Sequence, residues 1–390
     1  MKILMMADTA ANPDSGAAGT NVRTAEALRS LGHDVETLWS DSLSHRIAHP
    51  NLHYLLELPA EYRAAMLRRM RGTRYDVVQA SQPHGFLAAK SLIDRRERTV
   101  FVHRTHGLEL RVERELAKWH ATYAPDERRS WLRRQASRVM ADLLARHSRA
   151  IARYASGHIV SAGECRQYLN EELGVPLERI ALITTAAPHA YVSTPAPAMT
   201  RDRQLRLLHV GQYAYFKAPM IVAETINRVA ELDDRVSVTW VTPKAAHPNV
   251  RALLRGAVRE RVTLMDWMPQ DRLIDVYDRH GIFLFPSFVE GFGKVFLEAM
   301  ARGLCVIAAD NSGARDVIND GSDGLLVPTG EIGPMTEASL GLLRSPERVQ
   351  AISRQAAIRA REYSWDRVAR ETVGFFENLL RTRGSDAARS

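Results

Sequence analysis

Short apolar runs, six in each half of the 390-residue chain, are closed by turn residues and followed by stretches of helical periodicity, which restricts the chain to repeated βα units. The runs are continuous in Val, Ile and Phe rather than alternating, the pattern of parallel strands covered by helices on both faces. In the first half they fall at 2–7, 34–39, 75–80, 99–104, 158–161 and 180–184. The pattern restarts at 205–210 and continues at 235–241, 262–264, 281–285, 304–309 and 324–327. Between the two sets, PHAYVSTPAPAMTRDR at 188–203 places three prolines among small and polar residues and reads as a connection. The expected organisation is an N-terminal Rossmann-like domain at 1–190, a linker at 191–203 and a second Rossmann-like domain at 204–365. A terminal helix with a polar tail follows at 366–390. In its stripe Trp365, Val368, Val373, Phe376 and Leu380 recur at roughly helical spacing.

Composition narrows the partners. Lys and Arg number 53 against 45 Asp and Glu, a net charge of +8, which favours an anionic partner. The first 200 residues carry 27 basic and 21 acidic side chains, so most of the excess belongs to the first domain. Cys165 and Cys305 stand alone, with no pairing or zinc-type spacing, and fit a reducing compartment. The opening MKILMMAD is too short in apolar residues for a signal core, and no run reaches the roughly 18 apolar residues of a membrane span. A cytoplasmic location is the expectation.

The most informative stretch is PSFVEGFGKVFLEAMARG at 286–303. It follows the buried run IFLF, breaks at Gly291 and Gly293, and resumes as a helix with Val295, Phe296, Ala299 and Met300 on its core side. The amides of Gly293, Lys294 and Val295 would form a helix N-terminus, a ready anion site to which Lys294 adds charge. Glu290 stands just before the turn and Glu298 a turn and a half into the helix. Together they suit one ligand that carries both a phosphate and hydroxyl-rich rings. His106, after the strand 99–104, falls at a strand's carboxyl end. His103 and His106 lack a third ligand in register, so no metal site is expected. Gly16 and Gly19 lie in the loop after the first strand, where glycine allows close approach of an acceptor or phosphate and a helix begins near Thr20.

The string E-G-F-G-x-x-x-x-E-A-M resembles the E-x7-E signature of retaining, nucleotide-sugar-dependent glycosyltransferases of family 4. Other segments follow in that family's order over nearly the whole chain: SGAAGTNVRTAEALRSLGHDVETL near the N-terminus, THGLE at 105–109, DGSDGLLVP at 320–328 and YSWDRVA at 363–369. The resemblance implies the α/β GT-B fold, two doubly wound parallel-sheet domains facing a central cleft. It implies transfer of a sugar from a UDP- or GDP-linked donor to a hydroxyl of a glycan, a lipid-linked or a small-molecule acceptor. It further implies that Glu298 holds the ribose hydroxyls, that Glu290 and His106 lie by the donor sugar, and that Phe292, Gly293 and Lys294 contact sugar and phosphate through their amides. In VGQYAYFKAP, after the second domain's first strand, Lys217 matches the lysine that grips the pyrophosphate, beside Gly211, and Gln212 stands where the family has an arginine. ITTAAPHA at 183–190 replaces a strand that ends in P-N-G. No D-x-D triplet is present, as in metal-independent transferases, and no cofactor is implied because the nucleotide sugar is a substrate. An epimerase or phosphorylase of the same fold, or a sugar-nucleotide binder without turnover, are the alternatives.

Two arginine-rich stretches, at 61–76 and 127–153, read either as solvated faces or as a docking face for an anionic membrane surface near a lipid-linked acceptor. In the second, Leu132, Ala136, Val139 and Leu143 form the apparent buried stripe and Arg129, Arg133 and Arg134 the solvent side. Nucleic acid is not an expected partner.

Overall fold

All twelve runs are strands. The computed structural model describes residues 1–123 and 131–387, with side chains described outside 131–134, 136 and 384–387. The first sheet contains β1 Lys2–Met6, β2 Asp34–Leu38, β3 Val77–Ser81, β4 Val100–Arg104, β5 Gly157–Val160 and β6 Ile180–Leu182. The second contains β7 Arg206–Val210, β8 Ser237–Val241, β9 Val262–Met265, β10 Ile282–Phe285, β11 Cys305–Ala309 and β12 Leu325–Val327. Every pairing is parallel, in the orders β2-β1-β3-β4-β5-β6 and β12-β11-β10-β7-β8-β9. Each order reverses once, between β1 and β3 in one sheet and between β7 and β10 in the other. Such reversals leave a crevice outside the strands' carboxyl ends, where open α/β sheets bind ligands.

The alternation of β10 shows why its sequence is apolar throughout. Phe283 and Phe285 pack into one cluster with Tyr277, Phe296 and Met300, whereas Ile282 and Leu284 pack into the opposite cluster with Ile226, Trp240 and Leu342. Both faces are dry, and each such side chain contributes about 1.5–3 kcal/mol through burial. In the first sheet one face is filled by Leu4, Met6, Val78 and Phe101 against Tyr62, Met66 and Ile151.

Two compact units emerge, Met1–Glu113 with Asp126–Thr185 and Trp365–Ser390, and Arg114–Pro125 with Ala186–Ser364. The stretch read as a linker thus belongs to the second unit and carries the helices His189–Ser193 and Arg201–Gln204. Arg302, 3 % exposed, binds the carbonyls of Tyr191, Thr194 and Pro195 and fixes that stretch in place. The terminal helix Trp365–Ala387 belongs to the first unit, where Arg367 donates to the Thr184 carbonyl and Arg383 to those of Thr99 and Glu97. The helix after β1 starts at Ala17, a turn earlier than the sequence suggested. In the helix Trp131–Tyr154 the buried stripe is shifted as well. Val139 is 66 % exposed, while His147, Ser148, Ile151 and Ala152 are buried, because the helix packs through its C-terminal half. Arg129 lies outside the described residues, as do the side chains of Leu132, Arg133, Arg134 and Ala136.

Burial holds several histidines neutral. His84 and His103 are lowered to about 3 and His209 and His280 to about 4, with desolvation the largest cause in each. Unfolding restores their ordinary affinity for protons, so the unfolded state binds more protons below pH ~6.5 and stability falls as pH drops through that window. Glu109, pushed up to about 7 by burial, and the raised carboxyls of Asp8, Glu113 and Glu298 act in the opposite sense, but burial also lowers His33, His147 and His158, so seven imidazoles outnumber four carboxyls. Thermal unfolding is expected several degrees lower at pH 5 than at pH 7, and an unchanged or higher midpoint at pH 5 contradicts this account.

Candidate functional site

The reversal between β7 and β10 brings together two loops of the second unit, 211–217 and 286–293. Phe288 donates its amide to the Phe216 carbonyl at 2.9 Å, stitching the loops at their middle. On either side of that bond stand Lys217 and Glu290, and Lys217 Nζ donates to Glu290 Oε1 at 2.5 Å. Their side chains are 15 % and 9 % exposed, so the pair is largely shielded yet open to a ligand. Gly211 makes room for it. A Cβ there would lie 3.2 Å from His209 Nε2 and 3.9 Å from Lys217 Cδ. His209 donates Nδ1–H to the Leu284 carbonyl at 2.9 Å, and burial together with the nearby Lys217 charge keeps the ring neutral. Gln212 is exposed in the same loop.

Gly293 caps the helix Lys294–Ala301 with φ +92°, a conformation glycine adopts without strain. A Cβ on it would clash with Phe285 Cζ in the core. Gly293→Ala is expected to destabilise the protein by about 1–3 kcal/mol and to move the helix N-terminus. Urea unfolding measures this, and a midpoint equal to that of the unchanged protein would show that the turn tolerates a side chain. Phe292 is buried against Phe296, Lys294 and Val295 are half-buried in the first turn, and the Glu290 amide donates to Ser312 Oγ at 3.0 Å. Asn311 Nδ2 donates to the Ser287 carbonyl at 2.9 Å and holds the loop from below.

Glu298 is 2 % exposed. Its Oε2 accepts from the Tyr277 hydroxyl at 3.1 Å and its Oε1 from Gln270 Nε2 at 3.2 Å, while burial pushes its carboxyl above the ordinary glutamate value. Tyr277 and Gln270 carry no recognisable sequence signal. Neither does Trp119, whose ring stacks on Phe288 with centroids 5.4 Å apart, two residues from Glu290. Tyr123 joins it by donating to the Gly330 carbonyl at 2.5 Å.

His106, Gly16 and Gly19 belong to the first unit. Half-buried His106 follows Thr105, whose hydroxyl donates to the Gly107 carbonyl at 2.7 Å and shapes the turn. Gly16 is exposed at the start of its helix, and the buried Gly19 donates its amide to Ser15 Oγ at 3.2 Å. The structure therefore gathers Lys217, Glu290, Glu298, Gly211, Gln212, Phe292, Gly293, Lys294 and Val295 in one unit and leaves these three in the other.

Two Rossmann-like units with an anion-ready helix and paired glutamates on the second define the GT-B glycosyltransferase fold. Residues 204–345 match the family described as Glycosyl transferases group 1, in agreement with the family 4 resemblance. The D-inositol 3-phosphate glycosyltransferase of Kribbella flavida is 28 % identical over 223 residues, covering 55 % of this chain and 51 % of that protein. The chain thus spans about half the length of this curated relative. Among solved structures, a sucrose-phosphate synthase from Thermosynechococcus elongatus superposes with a TM-score of 0.76 at 17 % identity, covering 98 % of this chain and 100 % of the other. HepE from Anabaena, solved in complex with UDP-glucose, superposes with a TM-score of 0.64 at 16 % identity and covers 99 % and 100 %.

Proposed function

We propose that this chain is a retaining glycosyltransferase that moves a sugar from a nucleoside diphosphate sugar to an acceptor hydroxyl. The observation that carries the reading is the Lys217–Glu290 pair beside the Gly293 helix, with Glu298 buried one and a half turns further on. Glu298 accepts the ribose hydroxyls, and the amides of Gly293, Lys294 and Val295 face the diphosphate. Lys217 exchanges Glu290 for the phosphate as the donor enters, which frees Glu290 to orient the sugar. As the glycosidic bond breaks, negative charge grows on the departing diphosphate. Lys217 and the helix N-terminus stabilise that charge, so the reading assigns this task to protein groups rather than to a metal ion or cofactor. Departure and attack occur on one face, and the leaving phosphate takes the acceptor's proton.

UDP-glucose in HepE supports a uridine donor. Thermal unfolding with UDP, GDP, ADP and their sugar conjugates tests the reading. Native-state binding at a hundred times Kd raises stability by about 2.7 kcal/mol. A shift with one nucleotide and sugar transfer to an acceptor are expected. Conversion of the donor alone would instead mark an epimerase, and absence of any shift would remove the donor site.

The acceptor surface extends, in this reading, to an anionic membrane face. Arg68, Arg69, Arg71 and Arg74 are exposed around the end of the helix Leu58–Met70, and no helix among the described residues is long and apolar enough to span a membrane. Co-flotation with phosphatidylglycerol vesicles that is lost in high salt is the expected result; flotation equal with neutral vesicles argues against it. The two buried thiols, Cys165 and Cys305, which are not joined in a disulfide, support a reducing, cytoplasmic setting.

A further inference from the structure

The first unit has a reversal point of its own, between β1 and β3, and the loops leaving those strands carry Asp8 and the 82–85 turn. A set of polar side chains gathers there that the donor site does not use. The Tyr54 ring lies 5.8 Å from His84, and His84 meets His147 edge-on at 5.8 Å. His53, 5.7 Å from Tyr54, pairs with Glu57 at 2.8 Å. His84 and His147 are 6 % and 5 % exposed, and Nδ1 of each has no hydrogen-bond partner among the described residues. The hydroxyl of the fully buried Tyr62 is in the same position. Asp8 is half-buried, and desolvation raises its carboxyl against a hydrogen bond from its own backbone amide. The backbone is unusual on both sides: His53–Glu57 is a π-helical turn and Gln82 sits at φ +64°.

Buried donors and acceptors left unpaired are costly unless a ligand or ordered water meets them. We propose that Asp8, Tyr54, His84 and His147 bind the acceptor, a hydroxyl-rich ring that carries no phosphate or carboxylate. This rests on the glycosyl-transfer reading above. Hydroxyls donate to the Asp8 carboxylate and to the unprotonated imidazole nitrogens, while the partly exposed Tyr54 ring gives the sugar an apolar wall. An anion would find no matching charge. The charges that bear on Asp8 are those of His53 and Glu109, and no lysine or arginine is among the charges that shift His84, His147 or Tyr54.

Saturation-transfer NMR on the full chain separates the possibilities without needing a donor. The probes are methyl glucoside, myo-inositol and trehalose, set against glucose 6-phosphate and inositol phosphate. Binding of at least one uncharged polyol is expected, weakened tenfold or more in Tyr54→Ala and in Asp8→Asn, with the nucleotide thermal shift of both variants intact. Tyr54 is only half-buried, so its variant should fold even where His84→Ala does not. Binding confined to the phosphorylated probes, or an uncharged polyol bound equally by both variants, would overturn the proposal. Loss of the nucleotide shift with polyol binding preserved would sink the donor reading alone.

Discussion

Glu298→Ala is expected to abolish detectable nucleotide binding. A buried carboxylate that accepts two ribose hydroxyls supplies two charge-assisted hydrogen bonds of about 1.5–3 kcal/mol each, so their loss weakens Kd by a hundredfold or more. The alanine variant also strands the Tyr277 hydroxyl and Gln270 amide that Glu298 now accepts from, so its stability should be measured in parallel. Glu298→Gln provides the control. It keeps the volume and removes a carboxyl that burial already disfavours as a charge, so the fold should be at least as stable at neutral pH. The sign follows from the upward shift: the folded state holds this proton more tightly than the unfolded one, so ionised Glu298 lowers stability as pH rises past the ordinary glutamate value. Isothermal titration with UDP or ADP reads the outcome, and a folded Gln variant that binds as tightly as the unchanged protein would remove Glu298 from the donor site.

Lys217→Ala is expected to lower kcat by about 10²–10³ while changing donor affinity less. The distinction arises because the diphosphate is more negative when leaving than when bound. Alanine also leaves Glu290, 8 % exposed, without its cation, and breaking a shielded pair from one side destabilises by up to about 3–5 kcal/mol, less here because the pair is partly open. The double variant Lys217→Met with Glu290→Gln removes both charges. It should regain stability and remain inactive. Single-turnover transfer rates set beside unfolding midpoints separate the effects, and a Lys217→Ala enzyme within tenfold of full kcat would show that the leaving group is stabilised elsewhere.

Much of the second-unit site was legible because it is local. The turn at Gly291–Gly293 and the helix bearing Glu298 are set by a few consecutive residues, and a buried parallel strand announces itself as an unbroken apolar run. The strand ends differed by a residue or two, since terminal hydrogen bonds depend on the neighbouring strand; residues 75 and 76 precede β3, where Tyr75 is instead buried as it donates to Glu36. Val139 was misplaced for a related reason. Periodicity says that a helix has an apolar stripe, but the length of that stripe actually covered depends on what lies against it.

The sequence by itself determined two βα sheets and the turn and helix that carry Glu290 and Glu298, and it put Lys217 forward as a candidate for the phosphate. These follow from short-range backbone geometry, apolar period and motif resemblance. Only the tertiary structure decided that Lys217 and Glu290, 73 residues apart, form an ion pair, because strand order, not sequence order, sets β7 beside β10. It alone assigned Trp365–Ser390 to the first unit and Arg114–Pro125 to the second, since an amphipathic stripe specifies burial without naming the surface that buries it. And it alone gathered Asp8, Tyr54, His84 and His147, which the chain carries on four separate segments: the loop after β1, the π-helical turn His53–Glu57, the turn after β3 and the helix Trp131–Tyr154.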